Sequence, residues 1–234
     1  MKLAVMQPYL FPYIGYFQLI NAADKFVVYD DVNFIKQGWI NRNSILVGGQ
    51  AFLFTVPLEN QSSFQKINET FLNQKFYPSW ADKFLKTIEQ NYKKAPFFTD
   101  VFPMLKKILQ TENQSIAGLA VSSIKSVAEY IGIATEFVDS SVNYNNQNLS
   151  AQTRVLDICT QEKASQYINL SGGMALYSKS DFSEKGIELQ FIQSERIEYS
   201  QFNDNFVPNL SIIDILMFNE VSKIKDFLNH YKLL

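Results

Sequence analysis

This 234-residue sequence predicts an α/β fold, with a mostly parallel sheet and helices on both of its faces. Three observations carry that prediction. First, residues 2–32 run strand-like KLAVM, an aromatic loop, a helical stretch from Gly15 to Ala23, then strand-like KFVVYDDV. That is the size of a βαβ crossover, which joins parallel strands. Second, TEFVDSS (135–141), QYINL (166–170) and IELQFIQ (187–193) repeat the strand signal between helical stretches. Third, residues 79–132 have helical periodicity almost throughout, which predicts a helical subdomain within a single domain spanning 1–234.

KLAVM (2–6) is a short apolar run of the kind that forms a buried strand. In QPYLFPYIGYFQLI (7–20), Pro8 and Pro12 lock φ around Tyr9 and Phe11, and Gly15 stands between Tyr13 and Tyr16. The stretch carries no charge and reads either as a packing device or as a loop that receives a ligand. KFVVYDDV (25–32) reads as a strand ending in Asp30 and Asp31. A polar stretch then leads into Ile45–Val47, a Gly48-Gly49 turn and AFLFTVPL (51–58), the pattern of a hairpin. Helices follow over Ser79–Tyr92, Asp100–Leu109 and Gln114–Ile131, the last with Gly132 as its C-terminal stop. NYNNQN (143–148) is a loop, and LSAQTRVLDICTQEKA (149–164) is a helix with Ser150 as its N-cap. QYINLSGGMALY is a strand, a Gly-Gly turn and a helix start; LSIIDILMFN and EVSKIKDFLNHY supply closing helices.

Composition excludes several classes. A net charge of -2 leaves no basic footprint for nucleic acid. The opening MKLAVMQP does not fit a signal peptide, and no apolar run is long enough to cross a bilayer. No membrane insertion and a cytoplasmic location are therefore expected. The lone Cys159 rules out an intrachain disulfide and a cysteine-based zinc site. The lone His230 is expected in the final helix beside Phe227 and Tyr231, which leaves proton transfer to carboxylates, Tyr or Lys. The 20 Phe and 12 Tyr exceed ordinary usage, and part of that excess suits the aromatic wall of a ligand pocket.

In open α/β sheets ligands bind beyond the carboxyl ends of the strands, and four unusual stretches follow expected strands. In the first, Gln7, Tyr9, Tyr13, Gly15 and Tyr16 offer stacking faces, hydroxyls and close backbone approach to a phosphate; the alternative is a tight turn with core tyrosines. In the second, Asp30 and Asp31 stand where a general base or metal carboxylate would, though adjacent strand residues point to opposite faces. Lys36, Gln37, Trp39, Asn41 and Arg42 follow them, cations suited to phosphate or carboxylate beside a stacking ring, or else a solvated loop. The third, Ser140–Asn148, precedes a helix whose Arg154 reaches either this rim or a surface acid. The fourth holds Asn169, Ser171, Gly172 and Gly173, with backbone N–H groups for an anion and Lys179 as a further cation. Neither G-x-x-x-x-G-K-[ST] nor G-x-G-x-x-G occurs.

QPYLFPYIGYFQLINAADKFVVYDDVNFIKQGWINRNSI (7–45), YINLSGGMALY and PNLSIIDILMFN together resemble the WbqC-like protein family across nearly the whole chain. Members occur among bacterial genes for O-antigen, lipopolysaccharide and other surface polysaccharides, so the resemblance implies a role near nucleotide-linked sugars. One implied activity is a transferase that adds an acyl or aminoacyl group to an amino sugar. Asp30 or Asp31 would take the proton, Lys36 and Arg42 would hold phosphates or a carboxylate, and the tyrosines and Trp39 would form the wall. The opening unit is also similar to the nucleotidylyltransferases and class I aminoacyl-tRNA synthetases, which implies a Rossmann-like unit of that type and an ATP-using, magnesium-dependent alternative. Their H-x-G-H turn falls on Tyr13-Ile14-Gly15-Tyr16, with the glycine kept and both histidines replaced. Tyrosines carry no charge at neutral pH, which argues against adenylyl transfer by the usual route. LYSKSD is faintly similar to those enzymes' K-M-S-K-S loop. A non-catalytic module that binds a nucleotide sugar or a pathway partner is the third reading.

Overall fold

The computed structural model describes residues 1–110, 114–203 and 205–234. The chain opens with β1 (Lys2–Met6), α1 (Ile14–Ala22) and β2 (Lys25–Val28), the anticipated crossover, with β1 and β2 parallel. A hairpin follows, β3 (Arg42–Val47) and β4 (Gln50–Thr55), turned by Gly48 and Gly49 at φ 58° and 80°. Positive φ at both turn residues is the geometry that two glycines permit and that suits the strand twist. Three helices, α2 (Tyr77–Tyr92), α3 (Phe98–Leu109) and α4 (Ile116–Ile131), lead to the short β5 (Glu136–Val138). Gly132 ends α4 in the left-handed conformation at φ 75°. Then come α5 (Ala151–Gln161), β6 (Gln166–Leu170), α6 (Lys179–Ser183), β7 (Glu188–Ser194), α7 (Ile212–Phe218), α8 (Val221–Phe227) and β8 (Tyr231–Leu233).

Six strands form one sheet in the order β5-β2-β1-β6-β7-β8, parallel except for β8, which lies antiparallel at the edge. The fold is Rossmann-like. Chain order reverses between β1 and β6, so the topological switch lies beyond the carboxyl ends of those strands. Strand alternation sorts the core into two clusters. Ala4, Phe26, Val28, Ile168 and Ile192 face the cluster packed by α1 to α4, α7 and α8. Leu3, Val5, Val27, Tyr167, Leu189 and Phe191 face the other, packed by Val155 and Ile158 of α5 and Phe182 of α6.

Three local expectations are corrected. β2 stops at Val28 instead of running to Val32. Its last bond to β1 runs from the Tyr29 N–H to the Met6 carbonyl (2.9 Å). The Asp30 and Val32 carbonyls then accept from Asn68 and Ile67 (both 2.9 Å), which draws this segment off the sheet. Gly172 and Gly173 lie in a 3-10 helix, Ser171–Leu176, rather than a tight turn. The last helix ends at Phe227, and His230 sits in the turn before β8, where its carbonyl accepts from Glu195 (3.0 Å).

Candidate functional site

The loop after β1 is first of all a structural hub. Leu10, Phe11 and Tyr16 are fully buried. Phe11 adopts φ 44°, a left-handed backbone that a non-glycine residue keeps only when its surroundings impose it. Here they do. The Phe11 N–H donates to Ser123 Oγ of α4 (3.1 Å), and its carbonyl accepts from Asn43 Nδ2 of β3 (2.8 Å) and Ser211 Oγ before α7 (2.8 Å). The Tyr16 hydroxyl donates to the Gln7 carbonyl (2.8 Å), so that tyrosine packs the interior and meets no cleft. Tyr9 is half-buried against the same ring, 5.6 Å away. Gly15 is needed by its neighbour, because a Cβ there would lie 2.5 Å from the Tyr13 ring.

Asp30 and Asp31, just past β2, both turn to the start of the 3-10 segment Ser141–Tyr144. Ser140 Oγ (2.8 Å) and the Ser141 N–H (3.1 Å) donate to Asp30 Oδ1, and Ser141 Oγ donates to Asp31 Oδ1. Asp31 also receives Arg154 Nη2 on both oxygens (2.6 Å each). The Arg154 and Asp31 side chains are 4% and 1% exposed, so this is a buried ion pair. Arg154 Nε donates to Asn146 Oδ1 (2.8 Å), and the guanidinium lies 5.0 Å over the Tyr29 ring. Burial pushes the Asp30 carboxyl above the ordinary range, and the hydrogen bonds from Ser140 and Ser141 offset this only in part. Burial also opposes ionisation of Asp31, but the bonds from Arg154 and Ser141 outweigh it and hold that carboxyl low.

Beside this pair opens a cleft of about 430 Å³ bordered by Gln7, Tyr29, Val32, Asn33, Ile35, Leu149, Ser150, Ala151 and Arg154. Its size is that of a small-molecule site. Two features suit an anion. Arg154, a buried cation whose Nε and Nη2 are held by Asn146 and Asp31, borders it. The first turn of α5 meets the cleft at Ser150 and Ala151, with no side-chain cap and no acid. Ala151 holds φ 47°, a left-handed backbone, as does Asn145 at 50° in the loop before it.

The structure therefore brings Gln7 and Arg154 to one cleft, with Asp31 directly behind Arg154 and Asp30 beside it; neither acid borders the opening. The other candidates lie elsewhere. Lys36 is exposed, while Arg42 turns back on its own loop, donating to the Gln37 and Gly38 carbonyls and lying 5.7 Å from the Trp39 ring. Asn41 is buried and bonds the Val56 carbonyl (3.0 Å). Asn169 Nδ2 is held by the Tyr167 and Tyr177 hydroxyls (2.9 and 3.2 Å). Ser171, Gly172, Gly173 and Lys179 lie beyond β6; a Cβ on Gly172 would meet nothing within 4 Å and its φ is not left-handed, so packing does not explain the glycine. Tyr13 caps α1 and borders a different hollow, of about 450 Å³, with Ser194, Arg196 and Asn209. Among the described residues no three His, Cys, Asp or Glu side chains cluster as a metal site. No helix is long and apolar enough to cross a membrane, again among the described residues.

Sequence reasoning missed Tyr29, and it flagged Ser140–Asn148 only as a stretch, without the bonds that Ser140 and Ser141 make to Asp30 and Asp31 more than a hundred positions away. It also missed a second buried centre. Asp214 on α7 is fully buried and accepts from the Tyr92 and Tyr199 hydroxyls and Gln201 Nε2, each at 2.7 Å. An acid inside the LSIIDILMFN run was the available signal.

The chain is 28% identical over 233 residues to Rv1507c, an uncharacterized protein of Mycobacterium tuberculosis, with 98% of each chain covered. No solved structure matches it. The profile of the WbqC-like protein family matches residues 7–226, from the hub loop through α8, and the chain belongs to that family.

Proposed function

We propose that the cleft beside Arg154 binds the phosphate-bearing part of a nucleotide-linked sugar, and that the protein modifies such a sugar for a bacterial surface polysaccharide. The observation that carries this reading is the buried Arg154 guanidinium. Asp31 and Asn146 fix two of its nitrogens, and the residue borders a cleft that the first turn of α5 also borders. A cation held rigid before its ligand arrives loses little entropy on binding, and helix N–H groups add donors to the same anion. Gln7 and Tyr29 offer polar and aromatic contact for the sugar. If the step is acyl or aminoacyl transfer, the sugar amine attacks the acyl carbonyl, the donor's leaving group departs, and the amine proton goes to a base. Asp30 is a neighbouring carboxylate whose affinity for a proton is raised, and Ser140 Oγ donates a hydrogen bond to it.

Binding is tested by melting the protein with UDP, dTDP, GDP, ATP and sugar derivatives of the diphosphates, with and without magnesium. A ligand at a hundred times its dissociation constant adds about 2.7 kcal/mol of stability. Arg154→Lys keeps a positive charge for Asp31 but loses the guanidinium. The expected outcome is a shift with one nucleotide sugar and a roughly 10- to 100-fold weaker dissociation constant in Arg154→Lys. Equal binding by the variant, or no shift with any ligand, sinks the assignment. A shift with ATP and magnesium alone favours nucleotidyl transfer instead.

A further inference from the structure

The β3–β4 hairpin has two outer edges, and the fold treats them differently. Across its two-residue turn Val47 faces Gln50, so the hydrogen-bonded pairs are Val47–Gln50, Ile45–Phe52 and Asn43–Phe54. Ser44 and Leu46 on one strand, and Ala51, Leu53 and Thr55 on the other, turn their N–H and C=O groups outward. On the β3 side the molecule supplies partners. The Leu46 N–H donates to the Tyr92 hydroxyl (2.7 Å), and the Ser44 carbonyl accepts from the Ser211 N–H (2.8 Å). On the β4 side no described residue bonds the outward groups of Ala51, Leu53 or Thr55.

Within β4 itself no blunting device is present. Gln50–Thr55 contains no charge and no proline, and its pairing with β3 runs without a bulge. Phe52 and Leu53, on opposite faces, are each 48% exposed. Proteins that keep an edge strand in solvent place lysine, proline or a bulge there, because a bare edge is a template for another strand.

We propose that β4 pairs antiparallel with β4 of a second copy about a two-fold axis, joining two hairpins into one four-stranded sheet. A second copy of the strand fits this edge in register. With Leu53 opposite its symmetry mate, Ala51 of each chain faces Thr55 of the other. Every outward residue then meets an outward residue, and each such pair exchanges two hydrogen bonds. The strand is uncharged, so self-pairing brings no like charges together, and an acidic or basic partner strand finds no complementary charge.

The test is the mass of the full chain by light scattering during gel filtration, up to about 100 μM. The expected mass is twice the 26.9 kDa of one chain. Leu53→Pro removes an N–H that points away from β3, and Leu53→Lys sets two cations face to face. Both variants are expected to be folded monomers that melt cooperatively, with a melting temperature that does not depend on protein concentration. Amide exchange on the wild type needs no variant. The Ala51, Leu53 and Thr55 amides are expected to slow by more than about tenfold from dilute to concentrated protein, while Phe52 and Phe54 stay protected throughout. A monomeric wild type, a dimer retained in both folded variants, or fast exchange at those three amides at high concentration overturns the proposal.

Discussion

Among the described residues Asp214 has three hydrogen-bond donors and no cation, whereas Asp31 has a buried arginine on both oxygens. The two acids therefore respond to pH in opposite senses. Burial raises the Asp214 carboxyl, and the bonds from Tyr199, Tyr92 and Gln201 pull it back only in part. Its folded value lies above the unfolded 3.8, so between the two the folded state holds the extra proton. Stability from this group is full below about pH 3.8 and is lost as pH rises through the folded value. Asp31, lowered, contributes in reverse: its stability is present above pH 3.8 and is lost as pH falls through its folded value. We expect the wild type to gain stability relative to Asp214→Asn as pH falls from neutral through the folded Asp214 value toward 3.8. An equal slope in wild type and Asp214→Asn, measured by calorimetry, would show that Asp214 is not the group responsible.

At the scale of elements, the hairpin depends on its turn. Gly48 sits at φ 58°, and a Cβ there would meet nothing within 4 Å, so backbone strain alone sets the effect of substitution. Gly48→Val is expected to lower the unfolding free energy by about 1–2 kcal/mol, while Gly48→Asn, which tolerates the left-handed region, costs well under that. Urea titration of both variants separates them; equal losses would mean that bulk and not conformation decides the turn. The hairpin was legible because Gly-Gly between two β-rich runs is a local signal. The ends of β2 and α8 were not. Tyr29–Val32 continues an excellent strand pattern, yet its carbonyls bond Asn68 and Ile67, nearly forty positions away. Likewise Asn229–Tyr231 continues a helical pattern, but β7 presents an edge that β8 pairs instead.

For the whole molecule, one continuous cluster of buried residues runs from Phe26 and Val28 of the sheet through Phe84, Leu105, Leu119 and Ile124 of the three middle helices. We expect residues 79–132 to unfold together with the sheet in a single transition. In a Trp39→Phe background Trp80 reports from α2, packed against Phe84 at 5.1 Å, while far-ultraviolet dichroism reports from every element. Coincident denaturant curves from the two probes support one domain; a separate fluorescence transition would assign α2–α4 to an independently folding unit.

By itself the sequence determined the α/β class, the parallel opening unit, the helical middle and the hairpin, because alternation, helical spacing and glycine turns are written within a few consecutive residues. It also placed Arg154 and the two acids among the candidates, at the ends of elements where sites form. Only the tertiary structure decided which candidates meet. Arg154 and Asp31 stand 123 positions apart, and Tyr92 and Asp214 stand 122 apart. The same packing buried Tyr16 and Asn41, turned Arg42 onto its own loop, and set Arg154 at the border of the cleft. Local pattern states how much of a side chain is to be covered; what covers it is settled when the sheet brings distant segments together.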